Sequence, residues 1–158
     1  MTTTLAKAEL PTTAAASRLG RLGAPNVQIA YRIAGIEVRK AFTDSLKAFC
    51  EYVDKEGNKS SGGKGIYVNL SRRINVVFGL SRQLAEEFLH GRQASLRDSC
   101  SIIELLTLQM LEIDLRELLD FGMNQKLSRH DIKQSLYACI DGYGQRYADR
   151  FARWKETA

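Results

Sequence analysis

Arg72, Arg73 and Arg82, with Gln83 beside the last, are the side chains whose types and spacing most invite chemistry. Guanidinium forks and a carboxamide pair with phosphates and with base edges. Phe78-Gly79-Leu80-Ser81 separates the first two arginines from the others. A glycine free to take positive φ, an apolar plug and a capping hydroxyl are what the turn of a helix-turn-helix requires. In that geometry Arg82 and Gln83 open the second helix, where a fork meets guanine and an amide meets adenine. Arg72 and Arg73 then cross the phosphate backbone, assisted by Lys59 and Lys64 from the loop before them. Two features weigh on the other side. Asn75 stands where such a first helix usually holds a small apolar residue, and Glu86 and Glu87 are near enough to turn the cations into an ordinary solvated face.

Other constellations fall short of a reaction. The loop from Lys55 to Gly65 contains four glycines, but Gly62 is followed by Gly63, Lys64 and Gly65. A phosphate-binding loop needs lysine directly after its second glycine, then a hydroxyl, and a strand before it. Glu87-Phe-Leu-His90 is a single Glu-x-x-His unit, whereas a di-iron bundle needs two such units and two further glutamates. Cys50, Cys100 and Cys139 are far apart and form no Cys-x-x-Cys pair, which fits reduced thiols packed as small hydrophobes. No nucleophile, base and orienting group come together, so the sequence predicts neither an enzyme, nor a metal site, nor a cofactor.

Charge is sorted along the chain more than it is large. The net value is +5, yet residues 101–127 carry two basic side chains against five acidic ones, and the segments on either side are basic. An acidic, apolar middle between basic outer stretches suits a core or self-associating segment with basic surfaces around it. No run of about 18 apolar residues is present to span a membrane. Residues 1–25 lack an apolar secretory core and include Glu9. The expectation is a cytoplasmic protein.

The elements that must position these residues read as helices. Residues 1–25, rich in Thr and Ala and broken by Pro11, Gly20, Gly23 and Pro25, read as a flexible arm. Ile29, Ile33, Ile36, Phe42, Leu46, Phe49 and Val53 form one helical stripe, with Gly35 as a candidate kink. Ile66-Tyr67-Val68 reads as a short extended stub before a helix capped at Asn69 or Ser71 and ended by Gly79. Ser81 caps the next, to His90. Ser101-Ile-Ile-Glu104 is a capping box opening a helix over 102–121 that is apolar on nearly every face and ends at Gly122. Ser128 caps the last helix, running to about Lys155, with Leu136, Ile140, Tyr143, Tyr147, Phe151 and Trp154 on one stripe. Arg146, Arg150 and Arg153 make its opposite face basic.

Tyr67-Val-Asn69-Leu70-Ser71-Arg-Arg-Ile74, then Phe78-Gly79, then Leu96-Arg97-Asp98-Ser-Cys-Ser101 and Glu104-Leu105 form a recognisable series. It resembles the C-terminal helical domain of phage and mobile-element antirepressors and of the related KilA/BRO-type proteins, over roughly residues 66–155. There a Tyr-x-Asn-Leu-Thr segment leads into a helix ending in Phe-Gly, an Arg-Asp-x-Leu-Ser element and a long helix opening with Glu-Leu. Ser71 replaces the threonine and Cys100 the leucine, and no KilA-N or BRO-N module precedes the series. The resemblance implies a phage, prophage or plasmid regulator acting on repressors or DNA.

Together these observations predict an all-α domain, residues 26–158, of about five helices around the 102–121 helix. Its expected partners are a second copy of itself, a repressor or host factor, and double-stranded DNA. Leu108, Leu111, Tyr147, Phe151 and Trp154 are the expected interface between copies, because one small chain has few elements to cover both apolar surfaces. Two further roles fit the same pattern: an oligomeric assembly protein, and an inhibitor of a host nucleic-acid enzyme.

Overall fold

Apolar residues at helical spacing and well-formed caps dictate the elements of the computed structural model, which describes residues 26–59, 65–80 and 100–156. Helix α1 is Asn26–Glu51, α2 Gly65–Phe78, α3 Ile102–Asn124 and α4 Arg129–Tyr147; a 3₁₀ turn, Ala148–Phe151, leads into the short α5, Ala152–Glu156. The described residues are all-helical in class, with no strand among them. The arm over 1–25 and the helix over 82–90 lie outside the described residues.

Both caps expected for the last two long helices are present. The Ser101 hydroxyl accepts from the Glu104 amide at 3.2 Å while the Glu104 carboxylate accepts from the Ser101 amide at 2.8 Å. Ser128 takes the Asp131 amide at 3.1 Å. At the end of α2, Gly79 has φ 71°, and the amides of Gly79 and Leu80 reach back to the carbonyls of Val76 and Asn75, closing a Schellman motif.

Helix α3 lies between α1 and α4. On one flank α1 runs parallel to it: Gln109 Nε2 donates to the Tyr31 carbonyl, Arg39 meets Glu112, and Ser45 donates to Asp120. On the other flank α4, the 3₁₀ turn and α5 run antiparallel: Tyr143 donates to Asp114, Arg150 to Thr107 Oγ1 and Trp154 Nε1 to Glu104. Leu105, Leu108, Leu111, Leu115 and Leu119 form the inner face and are buried with Phe49, Leu70, Phe78, Ile132, Leu136, Ile140 and Phe151. Burial of each such side chain contributes about 1.5–3 kcal/mol.

A buried hydrogen-bonded clamp joins the end of α1 to the start of α4. The Arg129 guanidinium donates to the carbonyls of Phe49 and Tyr52 at the end of α1 and sits 4.0 Å over the Phe49 ring. Asp54 accepts the Arg129 amide at 2.9 Å and the amides of Glu56 and Asn58. The Arg129 amide is the largest of these influences holding the Asp54 carboxyl below its ordinary value.

Several boundaries depart from the sequence reading. Ile66-Tyr67-Val68 is the first turn of α2, not an extended stub, because Ile66 and Leu70 are buried on one helical face. Gly35 does not interrupt α1; the Gln109 carboxamide occupies the space a Cβ would need, its nitrogen 2.7 Å from that position. Gly122 lies inside α3, where a Cβ would fall 2.6 Å from Ile132 Cγ1. The chain leaves that helix at Lys126, which takes φ 57° while Leu127 bonds back to the Gly122 carbonyl at 3.0 Å.

The outer face of α3 is the chief departure. Ile103, Met110, Ile113 and Phe121 are exposed, Phe121 at 60% and Ile103 at 56%. The helix is central yet buried on one side only.

Candidate interaction surface

A groove of about 510 Å³ runs between α2 and α4, lined by Asn69, Arg72, Arg73, Val76, Val77, Tyr137 and Asp141. Its floor exists because Gly144 is buried against Val77: a Cβ on Gly144 would lie 1.9 Å from Val77 Cγ1, so only glycine lets the two helices come this close. Positions 69, 72, 73 and 76 then share one face of α2, one turn apart.

Arg73 is committed inside this groove. Its Nε and Nη2 donate to the two Asp141 oxygens at 3.0 and 2.5 Å, and its guanidinium lies 4.9 Å from the centre of the Tyr137 ring. The bidentate fork holds the Asp141 carboxyl below the usual carboxylate range. Arg72 is exposed beside it, and Val76, at 74% the most exposed large apolar side chain described, adjoins both. Val68, one turn before Arg72, is exposed too. Among the described residues the surface therefore offers an exposed cation, an ion pair and two apolar contacts.

Of the six residues expected to meet nucleic acid, the described residues bring together Arg72 and Arg73, and Lys59 is exposed. Lys64, Arg82 and Gln83 lie outside the described residues. Tyr137 and Asp141 were invisible from spacing, being more than sixty residues from Arg73. Val68 and Val76 carried a signal: both fall on the Arg72 face once residues 65–78 form one helix.

The five residues expected at an interface between copies sit elsewhere than a surface role requires. Leu108, Leu111, Phe151 and Trp154 are buried in the chain's own core, and Tyr147 is half-buried. The chain covers them itself, by folding α4 and the 3₁₀ turn back along α3. By contrast Arg146, Arg150 and Arg153 are all exposed, as their helical spacing implied.

Chemistry beyond binding has little to work with among the described residues. No group of three or more His, Cys, Asp and Glu is placed to hold a metal ion. Burial, with a smaller effect from Asp114, pushes the Cys139 thiol up to about 11, which keeps it protonated and a poor nucleophile at neutral pH. No described helix is long and apolar enough to cross a membrane. Set against protein families, curated proteins and solved structures, the chain matches none.

Proposed function

We propose that this chain is an antirepressor-like regulator of a mobile element, cytoplasmic and non-catalytic, that works by binding a protein partner in the α2–α4 groove. The observation that carries this reading is the Arg73–Asp141 pair. A phosphate backbone is held by uncompensated cations, whereas here a carboxylate lines the groove and takes one of the two arginines. Exposed Val68 and Val76 around Arg72 offer what a protein surface uses: an apolar contact with a polar rim. In this reading the whole domain has about five helices around α3, with residues 1–25 as an arm.

The test is displacement. The repressor encoded by the same element is placed on its operator and the chain is titrated in. The parent is expected to release the DNA, and Arg72→Glu with Val76→Asp to lose that effect while keeping its helix content. An intact repressor–operator complex in the presence of the parent chain rejects the proposal.

A second reading, duplex DNA as partner, draws on the positive φ of Gly79 and the burial of Leu80, which match the turn of a helix-turn-helix. It requires binding to random duplex whose log–log salt slope falls by about 0.9 for each arginine removed at Arg72 and Arg82. The assembly and enzyme-inhibitor roles remain the alternatives of a different class.

A further inference from the structure

The outer face of α3 presents an apolar row that no described part of the chain covers. Ile103, Met110, Ile113 and Phe121 are exposed along it, with Leu106 half-buried between them. At about 1.5 Å per residue the row is roughly 27 Å long. Its order is nearly palindromic: Ile103 and Phe121 are centred on Glu112, and Met110 and Ile113 are centred between Leu111 and Glu112.

Charges beside the row are sorted by end. Both sets lie on the flank of α3 that faces α4, except Glu117, which falls within the row itself, one turn from both Ile113 and Phe121. Toward the start of α3, Arg150 donates to Thr107 Oγ1 at 2.8 Å and Arg153 reaches Glu104 at 2.6 Å, with exposed Arg146 one turn before Arg150. Toward its end, Asp114 and the exposed Glu117 line a second groove with Leu118, Phe121 and Cys139.

We propose that a second copy of this chain docks on this face, with the two α3 helices antiparallel about a two-fold axis. Such an axis, lying in the interface and across the helices, reverses their direction and keeps the α4 flanks on the same side. Met110 then meets Ile113 of the partner subunit, and Ile103 meets Phe121 of the partner subunit. The basic end of one copy comes alongside the acidic end of the other, setting Arg150 near Glu117 of the partner subunit. A parallel pairing instead stacks each end on its like and brings Glu117 toward Asp120 of the partner subunit. The row is thus self-complementary in shape and charge in one orientation, as an isologous interface requires. It shares no residue with the α2–α4 groove, so this inference stands apart from the function proposed above.

Sedimentation of the full chain at micromolar concentration tests it. The parent is expected at twice the 17.7 kDa chain mass. Met110→Glu with Ile113→Glu is expected at the single mass with an unchanged circular dichroism spectrum, since both side chains are exposed. Orientation is tested by charge reversal: Glu117→Arg and Arg150→Glu should each weaken the dimer about tenfold, and the double reversal should restore it to within about threefold, as coupled partners do. A parent that sediments as a monomer overturns the proposal, and so does a dimer untouched by the Met110 and Ile113 changes. A dimer broken by those changes but not restored by the double reversal overturns the antiparallel arrangement.

Discussion

The two faces of α3 hold large apolar side chains in comparable rows and differ in what stands between them. On the inner face Glu104, Thr107, Gln109 and Glu112 are interleaved with the leucines, and each meets a side chain or carbonyl of another element. On the outer face no such bonds tie the row to a neighbour among the described residues. Apolar content alone therefore does not decide which side of a helix becomes core. The leucines supply burial, while the polar groups between them settle which helix lies alongside and in which register, because a buried polar group left unpaired is costly.

That contrast is easiest to break from the inside. Leu111→Asp places a carboxylate where the side chain is fully buried, and is expected to cost more than about 5 kcal/mol and abolish a cooperative thermal transition. A normal melt of that variant would remove α3 from the core. Glu104→Ala should cost about 3–5 kcal/mol in urea, since Trp154 Nε1 and the Ser101 amide lose a buried acceptor. Trp154 is the chain's single tryptophan, so its emission should shift red in the folded variant if the C-terminal segment loosens.

Acid probes the clamp between the end of α1 and the start of α4. Asp54 has a folded pKa below its ordinary 3.8, so its contribution is present above that value and lost as pH falls through the folded pKa. The parent's melting temperature should drop on acidification below 3.8, and Asp54→Asn, lower at neutral pH, should show a shallower drop. Equal slopes would mean the clamp is not a source of stability. A smaller effect of opposite sign belongs to Lys126, which holds a left-handed backbone that favours glycine. Lys126→Gly should stabilise the chain by about 0.5–1 kcal/mol, read from the urea midpoint. Least of all, Phe121→Ser on the outer face should shift the stability of the dissociated chain by no more than about 0.5 kcal/mol. A larger loss would show that the row is covered within the chain.

Much of this arrangement was legible where the signal is local. The Ser101–Glu104 box, the Ser128 cap and the Gly79 ending depend on residues a few positions apart, and all are in place. What failed was anything decided across the chain. Gly122 looked like a helix end because nothing nearby in sequence shows Ile132 pressing on it. The all-round apolar pattern of α3 hid which side would be covered, and so drew Leu108, Leu111, Phe151 and Trp154 toward an interface when the chain's own core already buries them. Nothing in the spacing singled out Arg129, since the carbonyls it meets are more than seventy residues away. In the groove the arginines were legible and the carboxylate that claims Arg73 was not.

The parallel course of α1 and α3 sets an order of events during folding. The bonds that tie the two helices join residues 73 to 78 positions apart, whereas Tyr143 and Asp114, which tie α4 to α3, are 29 apart. Closing a longer loop costs only about 0.6 kcal/mol for each doubling, so the native state tolerates it, but search time grows with the separation of contacting residues. The α3–α4 hairpin is thus expected to form before α1, the earliest of these helices to leave the ribosome, docks on it. Phe42, Leu46 and Phe49, buried in the folded chain, are then the last of the core to be covered in that order.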